Sequence, residues 1–74
     1  MEAILRSTTR VLQVKGTPVR VWEGETETGI PIACLIAGVQ PINPDDNRVV
    51  VAELASHDEP SEGAAQAFCK RVPA

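Results

Sequence analysis

The sequence predicts a mainly β fold: an antiparallel meander of three to five strands, either open or curled into a small barrel, ending in a short C-terminal α-helix. Three observations predict it. The apolar side chains are almost all Val, Ile, Leu and Ala, with Trp22 and Phe68 the only aromatics and no Tyr, a composition that suits a pleated surface. Runs of these residues are separated by clusters of Gly, Pro, Asn and Asp, the punctuation of short strands and turns. A helix is read only near the C terminus, because Pro31, Gly38 and Pro41 argue against one over Ile30–Val39, where period alone allows it.

Thr9–Val14 is rich in β-formers and stops at Lys15-Gly16. Thr17–Glu23 follows at once, with Val19 and Val21 on one face and Arg20 and Trp22 on the other. Two intervening residues, one a glycine, predict a tight hairpin. Ala3–Ser7 extends the first strand or stands as a short separate one. Pro18 lies near its strand's start, where a missing N–H costs least.

Residues 24–29 read as a polar connection, with Gly29 placed to supply a positive φ. Ile30–Val39 is then the most informative run. Ile30, Ile32, Cys34 and Ile36 alternate with Pro31, Ala33, Leu35 and Ala37, so both faces are apolar. A strand half-exposed to water alternates apolar with polar, and this one does not.

Asn43-Pro44-Asp45-Asp46-Asn47 is a turn, with Pro44 setting φ at the first corner. Arg48–Ala55, apolar on both faces apart from Glu53, reads as the last strand. A helix is expected from about 59 to 72, begun by the Ser56-x-x-Glu59 capping box or, because Pro60 intervenes, by Ser61. Ala64, Phe68 and Val72 fall on its one face, and Lys70-Arg71 suit its C-terminal end.

Seventy-four residues predict one domain spanning 1–74. A chain this short buries only about 60% of its unfolded surface, so it is stabilised marginally without a partner, a metal or disulfides. Cys34 and Cys69 sit in apolar surroundings and read as buried hydrophobes, not as a disulfide framework. The start, Met1-Glu2-Ala3-Ile4-Leu5-Arg6, lacks the basic-then-apolar order of a signal peptide, and no run is long enough to span a bilayer. A cytoplasmic protein is expected.

The net charge of −3 conceals an asymmetry. Residues 1–22 carry Arg6, Arg10, Lys15 and Arg20 against Glu2. Residues 23–62 carry Glu23, Glu25, Glu27, Asp45, Asp46, Glu53, Asp58, Glu59 and Glu62 against Arg48. Acidic groups in turns are ordinarily solvated, but such a block can also meet a basic partner.

Motifs for chemistry are thin. Ser56-His57-Asp58 holds the residue types of a hydrolytic triad, but adjacent side chains diverge where a triad must converge. Asp45-Asp46-Asn47 lacks the alternation, glycine and closing glutamate of a calcium loop. Cys34, His57 and Cys69 are too dispersed for a zinc site, and no glycine-rich phosphate loop occurs. With two aromatics and an isoelectric point near 4.9, nucleic-acid binding is not expected. The reading is a protein with no enzymatic activity, no metal, no cofactor and no evident small-molecule substrate, membrane or nucleic-acid partner.

What remains is association. The middle of the chain has apolar side chains on both strand faces, and a short helix covers part of one. The expectation is a protein–protein interaction or assembly module, paired with itself as a homodimer or with another protein. The alternative is an acidic inhibitor or regulator, of the kind phages and bacteria make, bound to a basic surface. Trp22, Glu23, Glu25, Glu27, Leu35, Asp45 and Asp46 are the candidate interaction residues.

Overall fold

The structure, a computed structural model, describes residues 1–68. Strands β1 (Ala3–Val14), β2 (Thr17–Thr26) and β3 (Pro31–Ile36) form one antiparallel sheet in the order β1-β2-β3. The sheet is open, so the barrel expectation is set aside.

The β1–β2 turn is the predicted one. Lys15 (φ 52°) and Gly16 (φ 83°) both have positive φ, the requirement of a two-residue turn whose twist matches its strands. Val14 pairs with Thr17 and Gln13 with Pro18. Pro18 is tolerated because β3 begins to pair only at Arg20, so no neighbour requires the missing N–H. β2 runs three residues further than expected, to Thr26, and Gly29 (φ 84°) completes the return to β3.

β1 is continuous but its register is not. Ala3 to Ser7 pair with Thr26 to Trp22, whereas Val11 to Val14 pair with Arg20 to Thr17. Thr8, Thr9 and Arg10 therefore stand opposite Val21 alone, an extended bulge that turns backbone groups away from β2. The returning chain uses them: Thr9 N–H donates to the Asp58 carbonyl (2.9 Å) and Asp58 N–H to the Ser7 carbonyl (3.1 Å). Thr8 and Asp58 form a parallel bridge.

Arg48–Ala55 is not a strand. Asn47–Leu54 is an α-helix, α1, entered from a 3₁₀ turn at Pro44–Asp46. The Asn43 side chain accepts from Asp45 N–H at 2.9 Å, and Pro44 supplies a helical φ at the first position. The Val49-Val50-Val51 run has high β-propensity, but local capping and Ala52-Glu53-Leu54 oppose it, and propensity is a weak constraint. Val50 and Leu54, four residues apart, are half-buried on the side of Trp22, while Val49 and Val51 are 58% and 57% exposed.

The last helix is also shorter than expected. α2 covers Glu62–Gln66, with Ser61 and not Ser56 as its N-cap. Ser56-His57-Asp58 is not a helix start but the strap laid along the bulge. Phe68 (φ 64°) has left the helix, and Cys69 to Val72 lie outside the described residues.

The strap carries the chain from one face of the sheet to the other around β1. Leu54 and His57 border the Trp22 face. Ser61 and Ala64 reach the opposite one, where Glu23 and Val21 lie. Among the described residues Val21 and Ala64 are the buried apolar residues, at 0% and 4% exposure. That is little core for a domain.

Candidate interaction surface

Two strips of the sheet are finished differently. Along β1, polar groups lock the bulge to the returning chain. The Thr8 hydroxyl donates to the Val21 carbonyl (2.7 Å) and accepts from Arg10 N–H (3.3 Å), and the Arg20 guanidinium donates to the Thr8 carbonyl (2.8 Å). Arg10 crosses to α2 and donates to the carbonyls of Ala64 (2.6 Å) and Ala67, capping the C-terminal end of the helix.

The Ser7 hydroxyl lies 2.9 Å from His57 Nδ1 and 3.3 Å from the Ser56 carbonyl. A serine paired with an imidazole invites a catalytic reading, one that no sequence motif suggests for Ser7. Ser7 is buried, and among the described residues no carboxylate hydrogen-bonds the ring to orient it. The pair fastens the strap to β1.

Glu23 belongs to the same fastening. Ser61 donates to its two carboxylate oxygens, from N–H at 2.8 Å and from the hydroxyl at 2.6 Å, while the hydroxyl accepts from Ala64 N–H. The Ser61 side-chain bond and then the backbone bond hold the Glu23 carboxyl below its ordinary 4.5; burial opposes them, and Arg6 adds a lesser attraction. Stability from this contact is therefore complete above pH 4.5 and declines as the pH falls below it, through the lowered folded value. Discounted for solvent exposure, Glu23→Gln is expected to cost about 1 kcal/mol at pH 7. The difference in urea midpoint between the two proteins should shrink between pH 6 and pH 3; a gap constant with pH would show that ionised Glu23 is not the acceptor.

The other strip is β3 and its approaches. From Ile30 to Pro44 there is no Asp, Glu, Lys, Arg or His. Leu35 is exposed on β3, Ile30 and Val39 are exposed on either side of it, and Ile42 beyond is fully so. Cys34 is a free, half-buried thiol opposite Trp22. Trp22 is half-buried and lines a shallow cleft of about 310 Å³ with Arg20 and Ile36 from the sheet and Leu54 and His57 from the returning chain.

The predicted residues are thus divided. Trp22 and Leu35 adjoin the uncharged strip, on opposite faces. Glu23 is engaged by Ser61 within its own chain. Glu25 is the penultimate residue of β2 and Glu27 lies in the turn after it, both exposed, and Asp45 and Asp46 are exposed in the 3₁₀ turn. Sequence reading missed Thr8, Arg10 and Ser7; the available signal was Ser7-Thr8-Thr9, three hydroxyl side chains interrupting an apolar strand.

Among the described residues no three His, Cys, Asp or Glu side chains gather where they could hold a metal ion, and no helix is long and apolar enough to cross a membrane. No family model, curated protein or solved structure matches the chain.

Proposed function

We infer that the protein is a protein–protein assembly module whose uncharged apolar strip is covered in its working state. The observation that carries this is surface left over. The chain exposes 5606 Å², whereas a compact protein of 7.9 kDa exposes about 4400 Å². Even if the six residues after Phe68 are credited with a fully extended chain's surface, about 1000 Å², the remainder exceeds its compact value by about 500 Å². A standard interface takes about 800 Å² from each partner, so an excess of about 500 Å² corresponds to a small interface of the kind that dissociates on dilution.

Burying it would also supply what the fold lacks. A domain with Val21 and Ala64 as the buried apolar residues among those described gains stability from each further apolar side chain withdrawn from water, at about 25 cal/mol per Å². The partner favoured is a second copy, because an uncharged surface is the kind that can face itself without repulsion. Sedimentation equilibrium from low to high micromolar concentration should give a dimer that dissociates on dilution, and thermal stability should rise with concentration. A strict monomer with a concentration-independent melting temperature would remove this reading. The acidic-regulator alternative retains exposed Glu25, Glu27, Asp45 and Asp46, and it predicts binding that weakens steeply with salt. Association through the uncharged strip should be nearly indifferent to salt.

A further inference from the structure

The assembly reading leaves the contact geometry open, and β3 supplies it; a contact through β3 presupposes that reading. β3 is the outer strand of the sheet, and each of its side chains is apolar. Strands that are apolar on both faces ordinarily lie between two others. Edge strands are ordinarily protected by charges, bulges or a covering segment. The β1 edge has all three, in Arg6 and Arg10, the Thr8–Arg10 bulge and the Asp58 strap. Among the described residues the β3 edge has none of these three, only Pro31 at its start: its pairing with β2 runs without a shift from Pro31 to Ile36, and no charge lies between Ile30 and Pro44.

The ladder also fixes which backbone groups point outward. Thr26 N–H donates to the Ile30 carbonyl at 3.0 Å. Because bonded pairs alternate along an antiparallel ladder, Ile32, Cys34 and Ile36 direct their backbone groups to β2. Pro31, Ala33 and Leu35 direct theirs outward, and the residue without an N–H falls on the outward side. The free edge thus offers the N–H groups of Ala33 and Leu35, with carbonyls at Pro31, Ala33 and Leu35.

We propose that β3 pairs antiparallel with β3 of a second copy about a two-fold axis at Cys34, joining two sheets into one of six strands. In that register Ala33 exchanges both hydrogen bonds with Leu35 of the second copy, and the reverse, so each outward N–H has a carbonyl. Pro31 stays outside the bonded pairs. Ile32 lies beside Ile36 of the second copy, and no like charges meet. Each Cys34 faces its own symmetry mate in a non-bonded pair, where Cα atoms are about 4.5 Å apart, within the span a disulfide accepts.

The test uses Cys34 as a ruler and Leu35 as a gate. In the full chain carrying Cys69→Ser, mild oxidation with copper phenanthroline should give a covalent dimer through Cys34, seen on a non-reducing gel and accompanied by quenching of the neighbouring Trp22. With Cys34→Ser and Ile32→Cys added, the thiols lie four residues apart along the paired strands, roughly 13 Å, and should stay uncoupled. Leu35→Pro removes an outward N–H and leaves the β2–β3 bonds in place; it should weaken the dimer at least tenfold while the far-ultraviolet spectrum is retained. Should Leu35→Pro fail to fold, the two cysteine proteins decide alone. A dimer that persists in Leu35→Pro, or one in which Cys34 does not couple, overturns the β3 pairing while the assembly reading stands. A strict monomer overturns both, and leaves the edge to a strand of a different protein.

Discussion

Gly24→Ala is expected to abolish folding. A Cβ at position 24 would lie 1.8 Å from the Ile4 carbonyl oxygen, 2.8 Å from the Ile4 carbonyl carbon and 2.9 Å from Leu5 Cα. All three are backbone atoms, so no rotamer change relieves the clash. Gly24 pairs with Leu5 and Ile32 at once, and making room means parting β1 from β2 at the centre of the sheet. Inserting a methyl group among side chains that can shift costs about 1–3 kcal/mol, and against fixed backbone the upper end is the floor. A domain this size has roughly 4–10 kcal/mol in total, and its small core places it low in that range. Gly24→Ala should show no cooperative thermal transition by circular dichroism. Gly38→Ala, whose Cβ would meet nothing within 4 Å, should melt like the parent. A Gly24→Ala protein melting within a few degrees of the parent would mean that β1 does not approach β2 so closely.

Gly24 also marks how far the sequence could be read. It looked like the first residue of a polar connection, since nothing in Glu23-Gly24-Glu25-Thr26 announces that a neighbouring backbone passes within contact. The Lys15-Gly16 hairpin was legible because a two-residue turn needs positive φ at both positions, a local requirement with a local signature. β3 was legible for the same reason, its apolar alternation being bounded by Gly29 and Gly38.

Helix α1 was not legible. Val49-Val50-Val51 fits a strand as well as a helix, and the outcome depended on the Asn43 and Pro44 entry turn and on Val50 and Leu54 reaching the Trp22 side of the sheet. The bulge was hidden more thoroughly. Its two extra residues preserve the in–out parity of β1, so the pattern on either side of it is undisturbed. Of the candidate interaction residues, Leu35 could be found from strand patterning, whereas the engagement of Glu23 depends on a serine 38 positions away.

The second large effect is expected at Thr8, which is fully buried. The register shift takes away the β1 donor that would have met the Val21 carbonyl, and the Thr8 hydroxyl replaces it at 2.7 Å. Thr8→Val conserves the shape and raises β-propensity, yet strands a buried carbonyl at a cost of about 1–3 kcal/mol. Thr8→Ser keeps the hydroxyl and gives up one methyl, about 1 kcal/mol. Urea midpoints should therefore fall in the order parent, Thr8→Ser, Thr8→Val. Packing alone predicts the two variants in the reverse order, because valine fills the site and serine does not. The loss should also reach the strap: Ser7 and Thr9 bind Asp58 only while the bulge holds its shape, so amide exchange at Asp58 should accelerate in Thr8→Val more than in Thr8→Ser. Equal exchange in the two would separate the hydroxyl from the docking of the C-terminal segment, and would leave Arg10, with its bonds to Ala64 and Ala67, as the group that holds it.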